Sequence, residues 1–228
     1  MKKTKDRALF NDWPEKYDQW FATPIGAFVK KYEAGLILDL LRPVQGEILL
    51  DAGCGTGIFT LDILSFGPRV IGLDISRPML IRAAEKARGY PFQAILADMS
   101  HLPFQDSSFD KVVSVTALEF IRDAKPAVNE LFRVTKKGGR IVVATLNRLS
   151  PWASRRRALA KEGHALFKEA IFRSPDELKS LSPVEGVIRT AIHFQKDEAP
   201  DRVPEREQEG QGRGLNTGAF LVALWKKP

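Results

Sequence analysis

Residues 48–57, Ile48-Leu49-Leu50-Asp51-Ala52-Gly53-Cys54-Gly55-Thr56-Gly57, run from an apolar stretch through a carboxylate into three glycines spaced two apart. That order predicts a buried strand turning sharply into a helix, with bare backbone at the turn. Glycine reaches positive φ at little cost and lets a ligand approach the main chain with no Cβ in the way. The first amides of the following helix are unpaired and carry partial positive charge, which suits an anionic or polar ligand.

Two ligand classes use such a turn. Nicotinamide and flavin dinucleotides are read from G-x-G-x-x-G, with an acid about 20 positions further on for the ribose. Here the spacing is G-x-G-x-G, led by Asp51 two residues before the first glycine. A second carboxylate, Asp74, follows the apolar run Val70-Ile71-Gly72-Leu73. Asp74 stands where a ribose-binding acid belongs in either class, so the glycine spacing and the leading carboxylate are what separate them.

LLDAGCGTG (49–57), VIGLDIS (70–76), ILADMSHLPFQDSSFD (95–110) and LFRVTKKGGRIVVAT (131–145) follow one another in this chain. In order and spacing the set resembles the class I S-adenosylmethionine-dependent methyltransferases, and it looks most like their small-molecule and lipid branch (methyltransferase type 11-like). The resemblance covers residues 45–146 in detail and the flanks more loosely. It implies a transferase that uses S-adenosyl-L-methionine as cofactor for methylation. The rival readings are a non-catalytic S-adenosylmethionine-binding protein and a dinucleotide-dependent oxidoreductase.

Composition sets the bounds. A chain of 228 residues with 44% hydrophobic residues suits one α/β domain with a sizeable core. No apolar run approaches the roughly 20 residues of a membrane-spanning helix, and the basic start, residues 2–7, leads into aromatic and acidic residues rather than a signal segment. One cysteine excludes an intramolecular disulfide and a multi-cysteine metal site. A cytoplasmic protein with no metal is expected. The net charge of +7 is concentrated partly in residues 2–7 and in Arg155-Arg156-Arg157 with Lys161. These clusters read either as solubility charge or as a weak contact with an anionic membrane, a phosphorylated substrate or RNA.

Strand and helix alternate through the middle of the chain, with strands expected at 47–51, 69–74, 92–97, 110–116 and 140–146 and helices at 57–65, 77–88 and 124–135. Such alternation implies right-handed crossovers. The expected architecture is α/β: a Rossmann-like, doubly wound, mostly parallel seven-stranded sheet with helices on both faces and an antiparallel C-terminal strand pair. One domain, 1–228, is expected in four parts. They are an N-terminal helical cap (1–42), a cofactor-binding core (43–146), a helical insertion (147–185), and the strand pair (186–228) with a mobile loop at 195–217, where Gly, Pro, Glu, Gln and Arg dominate. Apolar spacing from Ile25 to Leu41 predicts a helix.

With the resemblance stated, the parts of the cofactor can be matched to residues. Gly53, Gly55 and Gly57, with Cys54 among them, should let the backbone pass the methionyl group and ribose. Asp51 is expected to accept from the ammonium, and Asp74, followed by Ile75, from both ribose hydroxyls, because an ionised carboxylate only accepts. The resemblance implies that Asp98 accepts from the adenine amino group and that Met99 borders the ring through its backbone. Met79 reads either as an adenine contact or as core. Thr116 and Ala117, at the end of the fourth strand, should lie nearest the cofactor. In the resembled family the N-terminal segment often closes over the site, which adds Tyr17 to the candidates.

The acceptor is less legible. The family often has His where Phe120 stands, so the catalytic residue is unknown. Glu119 reads as a base or as a structural carboxylate, and His101, His164 and His193 read as surface or satisfied histidines. Nucleic-acid amino-methylating enzymes usually carry Asn/Asp-Pro-Pro-aromatic after this strand, whereas the chain reads Thr116-Ala117-Leu118-Glu119. No stable nucleic-acid complex is therefore expected, and a small-molecule or lipid-like acceptor is. The aromatic segment of Trp13, Tyr17, Trp20 and Phe21 fits an apolar or cationic acceptor and fits plain packing equally. The oligomeric state is not legible.

Overall fold

In a computed structural model, residues 9–228 are described, and the basic stretch 2–7 lies outside them. The strands are β1 (Ile48–Ala52), β2 (Arg69–Asp74), β3 (Phe92–Leu96), β4 (Phe109–Val115), β5 (Thr135–Leu146), β6 (Val187–Ala191) and β7 (Phe220–Lys226). They form one sheet in the order β3-β2-β1-β4-β5-β7-β6. The first five are parallel, while β7 runs antiparallel between β5 and β6. The expected doubly wound sheet with its antiparallel C-terminal pair is what forms.

Alternate residues of the central strands enter different cores, as a pleated strand requires. Leu49, Val113, Val142 and Val222 pack on one face with Ile37, Leu41 and Ile63. Leu50, Val112, Val143 and Leu221 pack on the other with Val128, Leu131 and Phe132. The helices covering these faces include α2 (Pro24–Leu41) and α3 (Thr60–Leu64) on the first, and α5 (Ala124–Val134) on the second. Between them α4 (Arg77–Lys86) follows β2, starting where Ser76 caps the Met79 amide and Pro78 occupies the first turn. Because the chain winds outward from β1 in one direction and from β4 in the other, a crevice opens beyond their carboxyl ends.

Further helical pieces precede and follow the parallel part of the sheet. Ahead of the sheet lies α1 (Pro14–Ala22), and after β5 come α6 (Pro151–Lys161), α7 (Ala165–Glu169) and α8 (Pro175–Ser180). The start of α8 is a capping box, with Ser174 and Glu177 satisfying each other's amides.

Two expectations are corrected. Gly138-Gly139 does not precede a strand but lies inside β5, where a register shift opposite Phe109–Lys111 absorbs the extra residues. Within 195–217, expected as a loop, α9 (Val203–Gly212) forms. Its Val203 is buried, and its buried Glu207 accepts from the amides of Ile192 and His193. Polar composition hid a helix whose start, Val203-Pro204-Glu205, carries proline and an acid in the first turn.

Candidate functional site

The glycine turn sits at the carboxyl ends of β1 and β4. Gly53, Gly55 and Gly57 all adopt positive φ, at 80°, 54° and 75°. They differ in what surrounds them. A Cβ on Gly53 would collide with the Ala117 methyl and come within 3.1 Å of Met99 Cε, and one on Gly57 would lie 3.1 Å from Ala83. A Cβ on Gly55 would meet nothing within 4 Å. The turn is thus pinned at both ends and open at its centre.

Asp74 hangs beside that opening. Its Oδ2 accepts from the Gly55 amide at 2.9 Å and its Oδ1 from the Ser76 amide at 2.8 Å. Burial nonetheless raises its pKa, against the lowering effect of these amides and of Ile75. Asp51 is buried behind the turn and accepts a hydrogen bond from Thr60 Oγ1 at 2.6 Å. Burial pushes its carboxyl up to about 7, Thr60 opposes the rise and Asp74 adds to it.

The other candidates divide. Met99 and Ala117 meet at the face of Gly53. Thr116 follows β4 with φ 45°, a left-handed conformation that costs a β-branched residue about 1–3 kcal/mol and that clusters at functional sites. Asp98 is half-buried and accepts from the Ser100 amide at 2.9 Å. Met79 is buried in the first turn of α4. The Cys54 thiol points away from the opening, into the space left by Gly72 beside Phe92, and burial raises its pKa well above a thiol's ordinary value. It is not a nucleophile in this setting.

Segment 10–22 crosses the crevice. Asp18 accepts from Thr56 Oγ1 at 2.7 Å, Lys86 Nζ at 2.5 Å and Arg82 Nε at 3.1 Å, which ties α1 to the glycine turn and to α4. Burial would raise the Asp18 pKa, but these donors together hold it below the ordinary value. Asn11 accepts from Ser76 Oγ at 3.2 Å. Phe10 meets Phe120 edge-on at 4.7 Å, Trp13 approaches His164 at 5.7 Å, and the half-buried Tyr17 interacts with Thr116. Burial raises the Tyr17 pKa.

A second cluster borders Tyr17; the sequence offered Glu119, His164 and the arginine triplet separately but not Glu33, and did not bring them together. Glu33 lies inside α2 at 6% exposure and makes no hydrogen bond among the described residues. Its signal was present, since it interrupts the apolar stripe Val29, Ile37, Leu40 at helical spacing. The triplet Arg155-Arg156-Arg157 is split. Arg155 and Arg157 are exposed, while Arg156 turns inward over Trp152 at 5.3 Å and Phe167 at 5.9 Å. His164 is half-buried: it stacks on Phe167 at 4.3 Å, and its Nδ1 is buried without a hydrogen-bond partner among the described residues. Glu119 is fully buried, with Oε1 accepting from the Leu146 amide at 2.7 Å.

Comparison with known proteins places this geometry. Residues 50–143 match the family model described as a methyltransferase domain. The chain is 32% identical to a demethylmenaquinone methyltransferase of Thermobifida fusca over 189 residues, 75% of this chain and 80% of that protein. It is 33% identical to a malonyl-[acyl-carrier protein] O-methyltransferase of Hamiltonella defensa over 146 residues, 64% of this chain, and it spans about half (54%) of that relative's length. Among solved structures it superposes with TM-score 0.76 on a Thermotoga maritima protein described as a SAM-dependent methyltransferase, possible histamine N-methyltransferase. Identity there is 25%, with 97% of this chain and 99% of that chain covered.

Proposed function

The chain belongs to the class I S-adenosylmethionine-dependent methyltransferases, and we propose that it methylates a small-molecule or lipid-like acceptor held between the glycine turn and the helical cap. The observation carrying this reading is the open face of Gly55 beside Asp74. A Cβ-free gap in a positive-φ turn admits the ligand's backbone-hugging half, and Asp74 spends one lone pair of each oxygen on amides, leaving acceptor capacity for two ribose hydroxyls.

S-adenosylmethionine, when bound, supplies a methyl group already activated by its sulfonium. What remains for the protein is alignment and exclusion of water. Gly53, Gly55 and Gly57 line the methionyl and ribose path, with Cys54 contributing backbone only. Asp51, held near neutrality by burial, gains a partner in the ligand's ammonium and ionises beside it. Ile75 and Met79 flank the adenosine, Asp98 and Met99 read the adenine, and Thr116 and Ala117 close the reacting end. Tyr17, carried by α1, covers that end once Asp18 is docked on Thr56, Lys86 and Arg82.

Calorimetric titration with S-adenosylmethionine, S-adenosylhomocysteine and NAD tests the reading. Binding of both sulfur ligands and not NAD is expected. NAD binding with neither sulfur ligand would end the proposal.

A further inference from the structure

Glu33, buried in α2, and Arg156, half-buried in α6, are an acid and a guanidinium near enough for each to feel the other's charge. No ion pair links Arg156 to Glu33 or Glu119 among the described residues, and Arg156 Nη1 is buried without any hydrogen-bond partner. Each group nonetheless feels the other's charge. Taking a carboxylate or a guanidinium out of water costs several kcal/mol, about as much as close pairing returns. A pair held apart forgoes that return. Burial pushes Glu33 up to about 8 and Arg156 down to about 10, each opposed by the other's charge.

The remaining charges are already engaged. Glu119 lies beside Arg173, whose guanidinium donates to the carbonyls of Leu118 at 2.9 Å and Ile121 at 3.1 Å. Among the described residues Glu119 Oε2 and the neighbouring Thr145 Oγ1 make no hydrogen bond of ordinary geometry, although Thr145 still lowers the Glu119 pKa, and Oε1 is fixed on Leu146. That leaves Glu33 and Arg156 without an ion-pair partner among the described residues, the guanidinium resting only on the Trp152 and Phe167 rings. Rings line the same region: Tyr17 senses both Glu33 and Glu119, and Trp152 and Phe167 hold the guanidinium. The region is also continuous with the donor end of the site, because Tyr17 meets Thr116 and the next residue, Ala117, covers Gly53.

We propose that the region between these two groups binds a small amino-acid-like zwitterion, its ammonium on Glu33 and its carboxylate on Arg156, and that the methyl acceptor therefore carries both groups. This rests on the proposed methyltransferase site and narrows its acceptor. An acid alone would leave Glu33 unpaired, an amine alone would leave Arg156 unpaired, and a neutral lipid would leave both. Charge-assisted hydrogen bonds at both ends are the stronger kind and fix orientation.

The test uses the full chain saturated with S-adenosylhomocysteine, and the saturation step itself reports whether the donor site exists. Calorimetry then measures L-phenylalanine, L-leucine and β-alanine, with phenethylamine and hydrocinnamate as matched half-ligands. At least one zwitterion should bind about tenfold or more tighter than either half-ligand, the scale of one charge-assisted bond. Glu33→Gln should weaken the zwitterion and phenethylamine but not hydrocinnamate, and Arg156→Gln the reverse pair. If either half-ligand binds as tightly as the best zwitterion, or none of these compounds binds the loaded protein, the proposal is overturned. Failure of S-adenosylhomocysteine to bind would instead overturn the donor reading beneath it.

Discussion

The donor side and the cap side of this crevice are built in opposite ways. The donor side is a backbone device. Its glycines, Asp51, Asp74 and Asp98 lie within a stretch of about fifty residues, at the ends of three adjacent parallel strands, and its amides do much of the holding. The cap side is a side-chain device, in which Tyr17, Glu33, Thr116, Glu119, Arg156 and His164 converge from five separate elements and connections. A backbone device tolerates little change in shape, whereas a side-chain device can be retuned one residue at a time.

The largest expected effect falls on the donor turn. Gly53→Val places a branched side chain at φ 80° against Ala117. The left-handed backbone costs about 1–2 kcal/mol and overpacking about 1–3 kcal/mol more. Thermal unfolding should show the loss, and titration should show no S-adenosylhomocysteine binding. An unchanged midpoint would mean the turn is not pinned.

Next comes Glu33, where the cap side shows its cost. Its folded pKa, about 8, lies above the ordinary 4.5, so the native state holds more protons than the unfolded one between those values. Stability from this group therefore falls as pH rises through that window. Glu119, Arg156 and Tyr17 face the same charge, and Arg156 moderates the effect. Glu33→Gln should stabilise the ligand-free protein by an amount that grows from pH 4.5 to 8, on the order of a few kcal/mol at most. Unfolding midpoints across that range check it; a constant offset would contradict it.

Asp74→Ala should weaken cofactor binding by about 1–3 kcal/mol, the scale for a buried acceptor losing its bonds, with the fold intact. The smallest effect is at the seam between the two sides. Asp18→Asn should loosen α1 by about 1 kcal/mol, seen as faster hydrogen exchange in residues 14–22 with little change in global stability. The Asp18 pKa is lowered, so its contribution is present above the ordinary 3.8 and is lost as pH falls through the depressed value. Protection of α1 that is unchanged by the substitution would show the clamp contributes nothing.

How much the sequence revealed follows the same division. The turn at 48–57, the acids at the end of β2 and just past β3 and the parallel order were readable because their signals are local: apolar runs, glycine spacing and caps such as Ser76 and Ser174. Glu33 was readable in principle as a charge on an apolar helix face. Arg156 was not, since a basic triplet says nothing about which member turns inward, and only the packing of Trp152 and Phe167 decides it. Asp18 gains meaning only when Thr56, Arg82 and Lys86 are brought to it from elsewhere in the chain. The helix at 203–212 was obscured by its polar composition, because it buries only Val203, Glu207 and Gly210.

One measurement addresses the division most directly: titration of S-adenosylhomocysteine into wild type, Asp74→Ala and Glu33→Gln. A donor site confined to the glycine side predicts that Asp74→Ala loses about tenfold or more in affinity while Glu33→Gln matches wild type. Equal losses in both variants, or a loss in Glu33→Gln alone, would contradict the account.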